Sequence, residues 1–434
     1  MRFPMRWLYT LLVYLVAPAV IIGEAWRGLR EPRGDGRLRQ RLGFGDRVGA
    51  GSTWVHAVSV GEVQAAAPLV RALLRQPSGR PVVLSTVTPT GAARARALFG
   101  SSVVLRYAPL DLPGAVRRFF ERVRPARAVI VETELWPNLL AECRRRDMPL
   151  VLASARLSPR SVARYRRLAS LFGEALSGRT TIAAQSEVDA ERFRAIGADA
   201  ARVSVTGNIK FDIELPADIR EQGASWRRGQ AAGRPLWVAG STHEGEEALL
   251  LDAHAALRRR VPQALLVLVP RHPGRFPAVA QMLERRGLHW VRRSAGVPVD
   301  PETEVLLGDT MGELPLFYAG ADVAFVGGSL VAVGGHNLLE PAALAVPIVT
   351  GPHNFNGQEI HDKLAAAGAV STVHDASDLA AELERLLGES AARREQGERG
   401  FGVVAANRGA VGRVLRLVNA LDDATTSGQA ARVY

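Results

Sequence analysis

Cysteine is almost absent from this 434-residue chain, and lysine nearly so. Cys143 stands alone, which excludes an intramolecular disulfide and any metal site built from several cysteines, and it fits a reducing compartment. It lies in a polar helical run beside Arg144, Arg145 and Arg146 with no supporting motif, and it reads as a bystander. Lys210 and Lys363 are the only lysines among 55 basic residues, so the net charge of +12 rests almost wholly on arginine. Such basicity suits nucleic acid, an anionic membrane surface or phosphorylated substrates. Zinc-finger spacing and an aromatic RNA-binding signature are both missing, so no nucleic-acid partner is expected and a membrane surface or phosphate-rich ligand remains. Low-complexity segments and short repeats are missing too, and only the tail from about Asp422 reads as loose.

What is present begins with one uncharged run. Trp7 to Gly23 (WLYTLLVYLVAPAVIIG) follows Arg2 and Arg6 and sits at the short end of the roughly 17–25 residues that cross a bilayer as a helix. Ala17-Pro18-Ala19 loosely resembles a signal cleavage site. Against export, Arg27, Arg30, Arg33, Arg37, Arg39 and Arg41 outnumber the two preceding arginines, which leaves the body of the protein cytoplasmic. An interfacial helix is disfavoured because residues 7–23 show no polar face. The reading is an uncleaved membrane anchor.

Beyond it the chain repeats one idea. Trp54-Val55-His56-Ala57-Val58 leads to Ser59-Val60-Gly61-Glu62 and a helix rich in alanine and leucine; Leu236-Trp237-Val238-Ala239 leads likewise to Ser241-Thr242-His243-Glu244 and another. Further strands near 81–87, 103–107, 127–131 and 149–153, then near 265–269, 304–308, 323–327 and 346–350, alternate with helical runs. That alternation predicts an α/β protein with two parallel-sheet units joined near Asp212 to Pro235 and a cleft between them. Open parallel sheets bind ligands beyond the carboxyl ends of their strands, where the glycine-rich turns fall.

The densest such turn lies in Gly308–His353. A strand at Val323–Val326 runs into Gly327-Gly328-Ser329, then Gly334-Gly335, and His336-Asn337 opens another helix. Glycines that feed a helix N-terminus let backbone N–H groups approach a phosphate. Glu340, about one turn into that helix, suits ribose hydroxyls, so the segment reads as a nucleotide-sugar pocket. Ser59 with Glu62, and Ser241 with Glu244, each match a capping box. Glu62 equally suits a general base at a strand end. Glu132 and Glu134, two apart, would share one face of an extended segment. A glycosidase pair or a metal site is disfavoured by the nucleotide pocket and by the lack of a further ligand cluster. His243 and His272 read as hydrogen-bonding loop residues.

These residues carry a resemblance. His56-Ala57-Val58-Ser59-Val60-Gly61-Glu62 resembles the HAxSVGE motif of the 3-deoxy-D-manno-octulosonate (Kdo) transferases, and the match continues through Thr88-Pro89-Thr90-Gly91, Asp111-Leu112-Pro113, Glu132 to Asn138, Ala155 to Ser158, Gly207 to Asp212, Ala239 to Glu246, Pro270 to Pro273, Met311 to Glu313 and Gly334 to Pro341. The resemblance implies the GT-B architecture, two facing Rossmann-like domains with a central cleft and an N-terminal anchor helix. Its expected boundaries are an anchor at 1–30, an acceptor-binding domain at 31–213, a CMP-sugar-binding domain at 214–421 and a flexible tail at 422–434. Glu62 falls on the family's catalytic base, and Glu132 and Lys210 on its transition-state stabilisers. Pro270, Arg271, Met311, Gly312, Glu313, Asn337, Leu338, Leu339 and Glu340 fall on positions that contact CMP. Leu338 replaces a proline common in the family, which would pre-organise a first helical turn.

The implied chemistry is inverting transfer of Kdo from CMP-Kdo to a phosphorylated glycolipid, lipid IVA, at the inner membrane, with no cofactor and no metal. Backbone N–H groups near Gly328, Ser329 and Gly335, with Lys210 or Arg271, are expected to meet the charge on the departing phosphate. Two other readings stand beside it. One is another GT-B transferase, heptosyl- or N-acetylglucosaminyltransferase-like, using a different nucleotide; the other is a membrane-tethered nucleotide-binding protein without catalysis.

Overall fold

The protein is described here as a computed structural model covering residues 5–30, 36–167, 171–173, 176–231 and 233–430. Arg2, Arg33 and residues 431–434, as well as the side chains of Arg27 and Arg30, on which part of the anchor and tail reading rests, lie outside the described residues. The chain forms two compact units, Met1–Asp212 together with Arg408–Tyr434, and Ile213–Asn407.

The first unit is built on a seven-stranded sheet in the order β3-β2-β1-β4-β5-β6-β7. Its strands are β1 (Ser52–His56), β2 (Val82–Thr86), β3 (Val104–Tyr107), β4 (Pro125–Val131), β5 (Leu150–Ala155), β6 (Thr180–Ala184) and β7 (Val203–Val205). All neighbours are parallel. The β1, β2 and β5 residues are buried on both faces, as a parallel sheet covered by helices requires. Trp54, Phe119, Phe120, Ile130 and Leu152 centre one core, while Val55, Val63, Leu69, Leu84 and Val129 centre the other.

The second unit repeats the plan in the order β10-β11-β9-β8-β12-β13-β14. These strands are β8 (Leu236–Thr242), β9 (Leu265–Pro270), β10 (Trp290–Arg292), β11 (Val305–Leu307), β12 (Val323–Val326), β13 (Ile348–Thr350) and β14 (Val370–Thr372), again all parallel. In both sheets the strand order turns back between two hydrogen-bonded neighbours, β1 with β4 and β8 with β12. Turns leaving the carboxyl ends of such neighbours lie side by side, which brings together residues far apart in sequence.

The C-terminal segment departs from expectation. Residues from Arg408 onward belong to the first unit, not the second, and residues 422–430, expected as a loose tail, continue the helix Ala410–Ala430. Ala410, Val411, Val414, Val418 and Leu421 form an apolar stripe that joins the first unit's core. Arg127 on β4 is 1% exposed and donates to the Val418 carbonyl, Thr53 and Gln76, tying that helix to the sheet.

The N-terminal helix runs Met5–Arg30 and is packed against the first unit. Met5 and Tyr9 reach one core, and Val13, Ala17 and Ile21 pack with Leu110, Leu112 and Ala115.

Candidate functional site

In the first unit, Ser59 adopts an extended conformation and caps the helix Val60–Leu74, its Oγ accepting the Glu62 N–H at 3.3 Å. The Glu62 carboxylate folds back over the same turn. Its Oε2 accepts the Val58 N–H at 2.6 Å and its Oε1 accepts the Ser59 hydroxyl at 3.1 Å. Glu62 is therefore a cap in geometry, with Val58 in place of the usual N-cap N–H. Burial pushes its carboxyl up to about 7, against the pull of the Val58 N–H, and the neighbouring charges of Glu132 and Glu134 add to the rise. A carboxyl balanced near neutral pH suits proton abstraction.

Glu132 leaves the end of β4, beside β1, with its N–H on the Ala153 carbonyl at 2.9 Å. Its φ of 60° is left-handed, a conformation that costs a non-glycine residue ~1–3 kcal/mol and is held only by its surroundings. The turn takes Glu132 and Glu134 out of the extended segment the sequence suggests, so they do not pair by strand alternation. Glu134 instead accepts the Trp136 indole N–H at 2.7 Å. Burial raises its carboxyl, the Trp136 bond opposes this, and the charge of Glu132 adds to it.

Lys210 Nζ lies 2.7 Å from Glu132 Oε1. Its short turn, Ile209–Phe211, is fixed from both sides. Asn208 Oδ1 accepts the Lys210 N–H at 3.0 Å, and Ser154 Oγ, from a bulged position at the end of β5, accepts the Ile209 N–H at 3.3 Å. Downstream, the Asp212 carboxylate accepts the N–H groups of Gly409 and Val411 at 2.5 Å each. The structure thus gathers Glu62, Glu132, Glu134 and Lys210 from the segments that follow β1, β4 and β7.

The second unit corrects the reading of the glycine-rich turn. The N–H groups of Gly328, Ser329 and Leu330 donate to the Glu246 carboxylate at 2.7, 2.9 and 2.9 Å, and Glu246 is 0% exposed. The Gly335 N–H donates to the Gly328 carbonyl at 2.7 Å. Ser329 is fully buried, its hydroxyl bound to Val326 and Gly351. The nest expected for a phosphate is filled by the protein's own anion. Gly335 has a φ of 74°, and a Cβ there would meet Asn354 Oδ1 at 2.5 Å, so this glycine serves packing. The second capping box is also absent. Ser241 is left-handed, Glu244 is exposed and pairs with Arg275 at 3.0 Å, and the helix begins only at Glu246, which takes the cap by accepting the His243 N–H at 3.0 Å.

Of the other expected residues, Met311, Gly312 and Asn337 are exposed, while Leu338 and Leu339 are buried. Arg271 follows β9 and anchors its N–H on the Thr242 carbonyl at 3.0 Å, and its charge acts on His243 and His336. Pro270, the last residue of β9, pairs in register with Thr242. Met311 is 64% exposed and Gly312 is left-handed at φ 87°. Glu313 is held by Arg293 at 2.6 and 3.1 Å and by Thr310, and the Arg293 bond keeps its carboxyl below the usual range. The helix expected from His336 begins at Leu339. Asn337 Oδ1 accepts the Leu339 N–H and its amide donates to Glu340, both at 3.1 Å. Leu338 is buried with φ −74°, a value that a proline would also adopt.

Sequence reasoning missed a histidine cluster. His243 and His336 stack with Nε2 atoms 2.7 Å apart, and His272 meets His243 edge-on at 5.4 Å. Burial lowers both stacked rings, His336 to about 4, with Arg271 among the nearby charges that add to the shift. One neutral ring donates to the other, and Arg271 supplies the cation beside them. The signal was His243 and His336 following neighbouring strands β8 and β12.

Comparison with known proteins decides the family. Residues 36–213 match the family model described as 3-deoxy-D-manno-octulosonic-acid transferase, and residues 248–402 match glycosyl transferases group 1. The 3-deoxy-D-manno-octulosonic acid transferase of Haemophilus influenzae is 40% identical, over 95% of this chain and 98% of that one. The chain belongs to the 3-deoxy-D-manno-octulosonic acid (Kdo) transferase family. The Bordetella pertussis transferase is 41% identical over 96% of this chain and 99% of its own. UDP-GlcNAc 2-epimerase from Neisseria meningitidis, bound to UDP-GlcNAc, superposes with a TM-score of 0.56 at 14% identity, over 85% of this chain and 99% of that one. The spinosyn rhamnosyltransferase SpnG gives 0.51 at 15% identity, over 84% and 99%. The fold is the GT-B one, and the protein is a glycosyltransferase.

Proposed function

We propose that this Kdo transferase moves Kdo from CMP-Kdo to a hydroxyl of a phosphorylated glycolipid, lipid IVA, with inversion at the anomeric carbon. The Glu62 carboxyl held near neutrality beside the Glu132–Lys210 pair carries this reading. Glu62 takes the proton of the acceptor hydroxyl as its oxygen bonds to the anomeric carbon. The bond to the phosphate oxygen breaks, and CMP leaves with the electron pair. Lys210, a compact ammonium in a chain that otherwise uses arginine, steadies charge around the attacking group through Glu132. In the second unit, Arg271 meets the anionic donor in place of the glycine nest, and Glu340, oriented by Asn337, receives the ribose hydroxyls. On this reading Arg271 takes the role at the phosphate that a divalent ion would otherwise fill, and transfer proceeds without a metal.

The apolar helix Met5–Arg30, long enough to anchor in a membrane, supports attachment to the inner membrane on this reading. The arginines that follow it favour the anionic cytoplasmic leaflet. The test is incubation with CMP-Kdo and tetra-acylated lipid A precursor in the presence of EDTA, read by mass. The acceptor is expected to gain Kdo. No gain with CMP-Kdo, alongside transfer from an ADP- or UDP-sugar, overturns the donor assignment; gain only when divalent metal is restored overturns the metal-free mechanism.

A further inference from the structure

We infer that Asp212 is a positioning residue for transfer. It ties the turn that carries Lys210 to the start of the helix Ala410–Ala430, and so makes that helix a support of the catalytic site. The inference rests on the role given to Lys210 above and adds what holds it in place.

Side-chain packing does not fix Lys210. Its side chain is 31% exposed, and its ammonium meets Glu132 at 2.7 Å. A lysine ammonium rides on a flexible four-carbon stem, so a defined contact needs a rigid backbone beneath it. That backbone is the single turn Ile209–Phe211. The Phe211 N–H closes it on the Asn208 carbonyl at 3.1 Å, and the Asp212 N–H on the Ile209 carbonyl at 3.2 Å. Ile209 and Phe211 are buried on either side of Lys210, and Ile209 shares a core with Ala410, Val411 and Val414.

The C-terminal helix grips this same turn. The helix opens at Gly409, whose carbonyl accepts the Arg413 N–H at 3.1 Å and which has no side chain to cap it. Asp212, 197 residues earlier, takes that place. Its Oδ1 accepts the Gly409 N–H and its Oδ2 the Val411 N–H, at 2.5 Å each. One turn further on, Arg413 Nε donates to the Thr206 carbonyl at 2.8 Å. The segment from Thr206 to Asp212 is therefore bound to one helix start at both of its ends, with Lys210 between them.

The residue before a helix ordinarily supplies its cap. Drawing the cap from Asp212 instead joins the helix to a position two residues from Lys210. A carboxylate at a helix N-terminus is favoured by the dipole and by charged hydrogen bonds, so the joint is firm.

The test measures transfer from CMP-Kdo to detergent-dispersed tetra-acylated lipid A precursor by the full chain. Wild type, Asp212→Asn, Lys210→Ala and the double variant are compared. Asp212→Asn removes the charge and turns an amide N–H toward one of the two donors. It is expected to leave CMP affinity unchanged and to lower kcat about 10- to 100-fold, the scale of misplacing a catalytic group. Added to Lys210→Ala, it is expected to change kcat by less than about twofold, because no ammonium is left to place. A chemical readout accompanies the kinetics. Lys210 and Lys363 are the only lysines, so trace acetylation of the folded protein with acetic anhydride, read by peptide mass, scores one against the other. Asp212→Asn is expected to raise the reactivity of Lys210 several-fold relative to Lys363.

An equal loss of kcat in both backgrounds overturns the inference. So does a folded, CMP-binding Asp212→Asn protein with wild-type kcat and unchanged Lys210 reactivity. A normal kcat in Lys210→Ala alone overturns the role of Lys210 itself, and that single variant tells the two failures apart. Arg413→Met keeps Asp212 and releases the Thr206 carbonyl. It is read in the same way, and it decides the matter where Asp212→Asn does not fold.

Discussion

Lys210 Nζ stands 2.7 Å from Glu132 Oε1, joining the turn after β7 to the left-handed turn after β4. Both side chains are about a third exposed, so the pair adds little to stability, and its value lies in the charge it sets around Glu62. Lys210→Ala is expected to leave CMP affinity unchanged and lower kcat about 100-fold or more, the scale of removing one preorganised electrostatic group. It should also shift the acidic limb of the pH–rate profile upward, because the Glu132 charge that already raises Glu62 loses its countercharge. A normal kcat with an unmoved limb would remove Lys210 from the mechanism.

Glu246 fills the nest that sequence assigns to phosphate. Glu246→Gln presents amide hydrogens or a single neutral oxygen to three N–H donors, and it is expected to cost at least ~3 kcal/mol of stability. Thermal unfolding together with CMP titration checks this. Unchanged unfolding with tighter CMP binding would show that the nest serves the nucleotide after all.

Glu24 is 8% exposed and holds Arg37 and Arg41. Breaking a buried pair of this kind leaves an uncompensated charge, so Glu24→Gln is expected to destabilise the first unit by ~3 kcal/mol. The N-terminal helix is then part of the folded unit rather than a detachable tether. Chemical denaturation that finds no loss would restore the tether view.

Much of the plan was legible because parallel strands buried on both faces are apolar runs. β1, β8 and β12 were visible as WVHAV, LWVA and VAFV. β6, β7, β10 and β14 were not, since Thr180–Ala184, Val203–Val205, Trp290–Arg292 and Val370–Thr372 are short and carry polar or small residues. In the site, Glu62 was found because its helix cap leaves a local signature. The filling of the Gly328 nest was invisible, since Glu246 precedes it by 82 residues and meets it only through the pairing of β8 with β12. The return of residues 408–430 to the first unit was hidden for the same reason: the apolar stripe states that the helix packs, but not on which sheet.

The central claim is that Glu62 is the base, and the pH dependence of transfer by wild type and Glu62→Gln tests it most directly. Gln keeps an oxygen for the Val58 N–H, so the variant is expected to fold and bind CMP. In the wild type the folded Glu62 carboxyl is raised to about 7, so the protonated form favours the fold below the ordinary carboxylate range and that contribution is lost as pH rises through about 7. The variant should therefore gain stability relative to wild type above that pH. In the wild type kcat/KM is expected to rise through about 7 and level off as Glu62 ionises, and in Glu62→Gln transfer should be lost at every pH. A folded, CMP-binding Glu62→Gln protein that transfers Kdo at the wild-type rate, with the same acidic limb, would contradict the account.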